Sequence, residues 1–164
     1  MNICNDKNKC CCFTGHRPHK LGISEKKAKE LLSDAVDDMI EKGYTVFISG
    51  MAQGIDMWAA EIVLEKRKSN PQIFLVCASA YKGMETKWQI DEKRMYENII
   101  AQADEVVYVC DHYVPYCFNV RNNWMVNHSS MVIAAYNGDC GGTKNTIKYA
   151  LQNDIAVNNI LINI

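Results

Sequence analysis

Two glycine-containing turns in this sequence carry the residue types that hold phosphate groups. The first spans residues 49–56 (SGMAQGID) and follows the apolar, β-rich run 44–48. The second spans residues 140–146 (CGGTKNT) and follows another apolar run. Glycine lets a backbone approach a ligand closely, and the unpaired N–H groups and dipole of a helix that begins there favour an anion. The pattern therefore predicts that one ligand presents phosphates or sugar hydroxyls to both turns.

A third segment that could do chemistry is TGHRP at residues 14–18, directly after a short apolar run. Gly15 permits a tight turn at the end of a strand. Arg17 offers a planar, permanently charged group suited to phosphate or carboxylate, and His16 could donate to a phosphate or act as an acid or base. The alternative is that Arg17 is a surface cation and that His16 only caps a turn.

Two further charged residues are candidates for the same site and, if the protein is an enzyme, for catalysis. Asp56 lies near the start of the helix after the first turn. There a carboxylate either complements the helix dipole or bonds ribose hydroxyls or a held water. Arg121 lies near the start of a helix that follows the irregular segment 111–118, a candidate lid. On the same helix face, Trp124 is interpreted as core packing.

Apolar runs of about five residues alternate with helical patterns along the chain. The predicted strands span residues 10–14, 45–49, 73–78, 105–110, 131–135 and 159–162. The predicted helices span residues 24–42, 87–102, 119–128 and 144–152, with one more that starts at Ile55 and stops before Pro71. This alternation predicts a single α/β domain over residues 1–164, a three-layer Rossmann-like parallel sheet with helices on both faces. Ligands in such sheets lie beyond the carboxyl ends of the strands, which is where the glycine turns and the 14–18 segment stand.

Composition and charge exclude several classes of protein. The net charge of −1 provides no basic surface, so a nucleic-acid partner is not expected. No apolar run reaches the ~20 residues that span a bilayer, and the first residues lack the apolar core of a signal peptide. We therefore expect a cytoplasmic protein without a membrane partner. The sequence leaves open a homo-oligomer.

The eight cysteines do not have the spacing of a zinc site, because no C-x-x-C pair occurs. We therefore predict no metal site, and no other feature indicates a cofactor. Cys12, Cys77 and Cys110 are interpreted as small core hydrophobes on buried strands.

Four segments together resemble the SLOG superfamily, the Rossmann-like group that includes the DNA-processing protein DprA (SMF) and the Lonely Guy (LOG) proteins. Within it, the chain is most similar to the YoqJ/YpsA-like branch of bacterial and prophage proteins. The resemblance covers nearly the whole chain from Cys10 onward and implies a pocket for a nucleotide or nucleotide derivative. The segments are TGHRPHKLG at 14–22, FISGMAQGIDMWAAE at 47–61, RNNWMV at 121–126 and GGTKNT at 141–146.

The resemblance to LOG enzymes is incomplete at the residues that would catalyse the reaction. These phosphoribohydrolases cleave the base from ribose 5′-monophosphates, and their signature is an arginine on the helix before the last glycine turn, then P-G-G-x-G-T-x-x-E. Arg121 matches the arginine by position, and Gly142-Thr143 matches the G-T. The place of the glutamate falls at Thr146, beside Asn145, and neither residue is a carboxylate. Because a carboxylate normally stabilises the cation-like sugar, Asp56 would have to take that role in a hydrolase.

Three functions therefore compete, and we expect a binding or sensing module for a nucleotide or nucleotide-derived phosphate ligand. A nucleotide-processing hydrolase that acts through Arg121 and Asp56 is the alternative, and a DprA-like DNA-binding protein is disfavoured by the near-neutral charge. The residues expected to bind the ligand stand in or beside the turns at the carboxyl ends of the strands. They are Gly15, His16, Arg17, Ser49, Gly50, Met51, Gly54, Asp56, Arg121, Gly141, Gly142, Thr143 and Asn145.

Overall fold

Strands and helices alternate through the part of the chain that the structure, a computed structural model, describes, residues 2–162. The predicted domain range 1–164 extends beyond this part at residues 1, 163 and 164. The strands are β1 (Cys10–Gly15), β2 (Val46–Ser49), β3 (Phe74–Tyr81), β4 (Glu105–Cys110), β5 (Met131–Ala135) and β6 (Ala156–Asn159). The helices are α1 (Glu25–Glu41), α2 (Ile55–Arg67), α3 (Ile90–Gln102), α4 (Cys117–Asn127) and α5 (Gly142–Gln152).

The six strands form one parallel sheet in the order β4-β3-β2-β1-β5-β6. The chain adds β2, β3 and β4 on one side of β1, then returns to place β5 and β6 on the other side. The direction of winding therefore reverses between β1 and β5, and open α/β sheets bind their ligands at such a reversal. The predicted Rossmann-like α/β fold is confirmed.

Alternate residues of each strand enter separate cores on the two faces of the sheet. In β1, Cys11 and Phe13 pack with helices α1, α2 and α3, whereas Cys10 and Cys12 pack with α4 and α5. Strands buried on both faces need an unbroken apolar run, which explains the three consecutive cysteines. The predicted three layers are thus present. Among the strand cysteines, Cys12 and Cys77 are fully buried as predicted, while Cys110 is half-buried.

The last strand is the clearest error of the sequence prediction, which placed it at residues 159–162. The chain leaves α5 through Asp154, whose φ of 58° is left-handed, and β6 begins at Ala156. The amide of Asn159 ends the strand by bonding both backbone groups of Tyr136, at 3.1 and 2.8 Å. An edge strand rich in asparagine has a weak β signal, and the apolar residues that follow it produced the shifted prediction.

Three helices also begin at positions other than those predicted, and one of them is α5, which begins at Gly142 rather than at residue 144. Helix α3 begins at Ile90 rather than at residue 87, because a turn from residue 82 to 89 precedes it. Helix α4 begins at Cys117, inside the segment expected to be irregular. Trp124 on α4 is half-buried and stacks on His128 with ring centroids 4.0 Å apart. None of the helices in the described part of the chain combines the length and apolarity needed to cross a bilayer.

Candidate functional site

A polar cleft of about 190 Å³ opens at the carboxyl edge of the sheet. It lies where the winding reverses, and it draws residues from the end of β1, the two glycine turns, the first turn of α2 and the first half of α4. Its lining residues are Thr14, Gly15, His16, Arg17, Lys20, Ala52, Asp56, Phe118, Arg121, Asn122, Cys140, Gly141, Gly142 and Thr143. The topology therefore brings together segments that are more than a hundred residues apart in sequence.

Most of the residues expected to bind a ligand lie around this cleft, but five do not line it. Those that line the cleft are Gly15, His16, Arg17, Asp56, Arg121, Gly141, Gly142 and Thr143. Ser49, Gly50, Met51 and Gly54 belong to the first glycine turn and do not line it. Asn145 lines a separate groove between α4 and α5, together with Asn119 and Lys148.

The first glycine turn is filled by protein atoms. The Ser49 hydroxyl donates to the Asp56 carbonyl at 2.7 Å and accepts from the Met51 N–H at 3.2 Å. Met51 is fully buried and takes a left-handed φ of 60°. Gly54 has a φ of 89°, and a Cβ there would lie 2.8 Å from Cδ of Pro18. These residues therefore hold the turn in shape.

Gly50 lies between the side chains of Asp56 and Arg121. A Cβ at Gly50 would lie 2.8 Å from Asp56 Oδ2 and 3.0 Å from Arg121 Cζ. Arg121 donates from Nη1 to the Gly50 carbonyl and from Nε to Asn122 Oδ1 at 2.8 Å. Asp56 Oδ2 accepts from the Ala52 N–H at 3.3 Å. Only glycine at position 50 permits this approach of a carboxylate and a guanidinium.

Asp56 and Arg121 are both almost completely buried, with 6% and 4% of their surfaces exposed. Burial raises the pKa of Asp56, although Arg121, the Ala52 N–H and Arg17 act in the opposite direction. Burial likewise lowers the pKa of Arg121, which nevertheless stays protonated at any physiological pH. A buried carboxyl group with a raised pKa beside a fixed cation is an arrangement that occurs often in functional sites.

His16 presents a buried nitrogen without a hydrogen-bond partner. Its backbone N–H donates to the Ala135 carbonyl at 3.2 Å, which fixes it at the junction of β1 and β5. Its ring packs against Tyr136 with centroids 5.4 Å apart, and no partner of Nε2 lies within residues 2–162. Burial lowers the pKa of His16, which favours the neutral imidazole. A buried polar atom that lacks a partner is uncommon in a folded protein, and His16 is one of the residues that line the cleft.

The second glycine turn is open. A Cβ at Gly141, whose φ is 141°, would meet nothing within 4 Å, and one at Gly142 would lie 3.9 Å from Asn122 Nδ2. No side chain within residues 2–162 caps the start of α5. The first-turn N–H groups of α5 therefore have no side-chain acceptor, and they border the cleft with the positive end of the helix dipole.

Sequence reasoning missed five polar or aromatic residues of the cleft, which are Thr14, Lys20, Phe118, Asn122 and Cys140. Lys20 is brought back to the cleft by a short 3₁₀ turn at Pro18–Lys20, and its membership of the 14–22 segment was the available signal. Asn122 follows Arg121 in the 121–126 segment. Nothing in the local sequence marked Phe118.

The cysteines form no metal centre in the described part of the chain. All eight have free thiols, and no group of three or more His, Cys, Asp or Glu side chains within residues 2–162 is arranged to hold a metal ion. Cys140 is the exposed one among them, and its sulfur lies 3.9 Å from Lys144 Nζ at the cleft.

The parallel sheet and its winding reversal define a Rossmann-like protein, with a polar cleft as the candidate site at the carboxyl edge of the sheet. The chain belongs to the SLOG family: the sequence model of the YspA SLOG family matches residues 11–163. The predicted membership is thus confirmed.

Relatives in bacilli resemble the chain over most of its length. The chain is 29% identical over 137 residues to the uncharacterized SPbeta prophage-derived protein YoqJ of Bacillus subtilis strain 168, covering 76% of this chain and 80% of that protein. It is 28% identical over 153 residues to a UPF0398 protein of Bacillus velezensis, covering 88% of this chain and 82% of that protein.

Two solved structures of DNA processing protein A share the fold. The protein from Streptococcus pneumoniae superposes with a TM-score of 0.65 and 18% identity over 92% of this chain, which spans about half (50%) of that one. The protein from Helicobacter pylori, described for its single-stranded DNA binding mode, gives a TM-score of 0.66 and 15% identity, covering 94% of this chain and 65% of that one. At these identities the likeness concerns the fold alone.

Proposed function

We propose that this protein binds a nucleotide or nucleotide-derived phosphate ligand in the cleft and acts as a binding or sensing module. The observation that carries the proposal is the uncapped start of α5 at a cleft lined also by Arg17, Lys20 and His16, whose buried Nε2 has no partner within residues 2–162. Membership of the SLOG family supports a nucleotide-related or DNA-binding role at the level of the family.

The phosphate is assigned to the open turn before α5. Gly141 and Gly142 have no side chain to keep an anion away from their backbone, and the N–H groups beside them are free to donate. Arg17 and Lys20 are exposed at the cleft and add full positive charge. Backbone donors, a helix dipole and an arginine together are the usual elements of a phosphate site.

The sugar is assigned to the buried side of the cleft. Asp56 offers carboxylate oxygens that can accept from ribose hydroxyls, and Thr143 and Asn122 offer further polar atoms. Because Asp56 is held by the Ala52 N–H and lies next to Gly50, its position is set before a ligand arrives. A site organised in advance loses less free energy on binding.

Single-stranded DNA, which the Helicobacter pylori protein binds, is the less favoured ligand. The net charge of −1 gives the chain little capacity to neutralise the phosphates of a polymer. The cleft of about 190 Å³ is also small for more than one nucleotide unit.

Hydrolysis of a nucleotide is the second candidate, and Asp56 is the observation in its favour. Thr146, at the place of the LOG glutamate, is 1% exposed, and its hydroxyl donates to the Gly142 carbonyl at 2.9 Å. Asn145 lines a different groove. Asp56 is therefore the carboxyl group available to a bound sugar, although burial, which raises its pKa, works against the charged form that a cation-like sugar needs.

The binding proposal is tested by calorimetry with nucleoside 5′-monophosphates, after a thermal-shift screen that also includes NAD and ADP-ribose. Arg17→Ala should weaken binding by about 1.5–3 kcal/mol if the arginine makes a charged hydrogen bond to the phosphate. Lys26→Ala, which removes an exposed cation of α1 outside the cleft, is the matched control. Arg121→Ala is a poorer test, because Arg121 also holds Gly50 and Asn122.

Equal affinities of wild type and Arg17→Ala would contradict the placement of the phosphate. Absence of binding to every phosphate compound in the screen would overturn the proposal itself.

The hydrolase alternative is tested by assaying base release from the same nucleotides. We expect slow or no turnover, because developing positive charge on the sugar needs a negative group and electrostatic stabilisation is usually the largest catalytic contribution. Robust turnover that is abolished in Asp56→Asn would replace the binding proposal with the hydrolase. Thr146→Glu is an unsuitable gain-of-function variant, because it would bury a carboxylate at a position that is 1% exposed.

A further inference from the structure

Three aromatic rings form a cluster beside the cleft. Tyr81 ends β3, Tyr113 lies in the segment before α4, and Phe118 lies in the first turn of α4. The ring of Tyr81 meets Tyr113 at 5.6 Å between centroids and Phe118 at 6.3 Å, both nearly perpendicular at 72° and 68°. Edge-to-face contacts of this kind fix the orientation of the rings.

Phe118 connects this cluster to the cleft. It lines the cleft, and 36% of its surface is exposed. The guanidinium carbon of the buried Arg121 lies 5.7 Å from the centroid of the Phe118 ring. The Phe118 ring is therefore held by Arg121 and by Tyr81, and it still presents surface to solvent at the cleft.

The exposed rings are not explained by the fold. Tyr113 is 57% exposed, and with Tyr81 it borders a groove of about 420 Å³ that continues along Met84 and Trp88. A group of exposed aromatic side chains on a small protein commonly marks a binding surface. The surface here is continuous with the cleft through Phe118 and Tyr81.

We propose that Phe118 stacks on the base of a mononucleotide whose phosphate lies at the start of α5, which deepens the proposed function and rests on it. The cleft of about 190 Å³ has room for a phosphate and a sugar, so the base attached to that sugar must extend beyond the rim of the cleft. Phe118 stands at that rim, and the face of an aromatic side chain is the surface to which bases stack. Tyr81 is then a positioning residue that orients Phe118.

The ligand class that follows is a phosphorylated nucleoside rather than a sugar phosphate. The test compares the binding of adenosine, guanosine, cytidine and uridine 5′-monophosphates with the binding of ribose 5-phosphate, by calorimetry. Phe118→Leu removes the stacking face and keeps an apolar side chain. Tyr116→Leu is the matched control, because Tyr116 is 62% exposed in the neighbouring turn and does not line the cleft.

Phe118→Leu should weaken the best-binding nucleotide by roughly 5- to 150-fold, the usual worth of base stacking on an aromatic ring. The same variant should leave ribose 5-phosphate binding and the thermal midpoint unchanged, and Tyr116→Leu should change neither ligand. Tyr81→Phe, which keeps the ring that orients Phe118, should bind nucleotides like wild type.

Three outcomes would overturn the inference. Equal wild-type affinity for ribose 5-phosphate and the nucleotides would mean that the base makes no contact, although the phosphate site would stand. If Phe118→Leu weakened the binding of the nucleotide and of ribose 5-phosphate equally, the Phe118 ring would have a structural role and would not contact the base. A clear preference for an oligothymidylate over every mononucleotide would make the ligand single-stranded DNA. Failure of all these compounds to bind wild type would instead count against the proposed function.

Discussion

The two glycine turns of this protein look alike in sequence and differ in three dimensions. Both follow a strand, both lie at the carboxyl edge of the sheet and both lead into a helix, α2 or α5. In the first turn, side chains occupy the space that the glycines leave, whereas in the second turn that space is open. Glycine therefore permits close packing of the protein on itself in one turn and access for a ligand in the other.

The two turns consequently contribute differently to the proposed site. The first turn supplies side chains, since it presents Asp56 to the cleft and anchors Arg121 through the Gly50 carbonyl. The second turn supplies backbone donors at the start of α5. The expectation that one ligand contacts both turns remains a proposal, with Ala52 and Asp56 rather than the glycines as the contacts from the first turn.

The largest difference between the turns is expected for Gly54→Ala and Gly141→Ala. Both glycines have a positive φ, 89° and 141°, so alanine strains the backbone at either position. At Gly54 the new Cβ would also lie 2.8 Å from the Pro18 ring, whereas at Gly141 it would meet nothing within 4 Å. We expect losses in the free energy of unfolding of about 2–4 kcal/mol for Gly54→Ala and about 1 kcal/mol for Gly141→Ala.

Urea denaturation of the two variants and wild type provides the measurement. Similar losses of stability in both variants would show that backbone strain alone causes the destabilisation. The contrast between a filled first turn and an open second turn would then be wrong.

A second pair, Gly50→Ala and Gly142→Ala, removes backbone strain from the comparison, because neither glycine has a positive φ. At Gly50 the Cβ would lie 2.8 Å from a carboxylate oxygen and 3.0 Å from a guanidinium, and moving either buried group costs about 1–3 kcal/mol of stability. At Gly142 the nearest atom is 3.9 Å away, so stability should change by about 0.5 kcal/mol or less.

Thermal and urea unfolding, run side by side, would measure both changes. If Gly142→Ala were as destabilising as Gly50→Ala, the second turn would have to be packed in solution, contrary to the structure.

The smallest effect concerns the pH dependence of sulfate binding. Because burial raises the pKa of Asp56, this group takes up a proton at a pH above the ordinary range of aspartate. Protonation removes a negative charge from the cleft. Because the charge of sulfate itself stays constant over this pH range, sulfate should bind more tightly as the pH falls. The change should be on the order of 1 kcal/mol, as for a partly screened pair of charges.

His16 changes affinity in the same direction, since it gains positive charge below its lowered pKa. Comparing Asp56→Asn with His16→Gln separates the two contributions in a calorimetric titration series. A pH profile of Asp56→Asn that overlays wild type would exclude Asp56 from the electrostatics of the bound anion.

Local patterns in the sequence were sufficient to predict five of the six strands, the approximate positions of the helices and the edge of the sheet at which most of the candidate residues lie. The apolar run of β1 and the periodicity of α1 are properties of short windows, and α1 begins after Ser24, an N-cap whose side chain accepts from the Lys27 N–H. The position of β6 could not be found in this way, because its end is set by Asn159 bonding Tyr136, 23 residues earlier.

By itself, the sequence determined the order of the elements, the family and the presence of two glycine turns beside charged residues. Only the tertiary structure decided which turn is filled, that Phe118 and Lys20 reach the cleft and that Asn145 does not. The physical reason is that residues distant in sequence, which the fold brings close to a glycine, determine whether the space beside it is occupied. One of the two groups that occupy the space at Gly50 is Arg121, 71 residues away, and no local pattern records that contact.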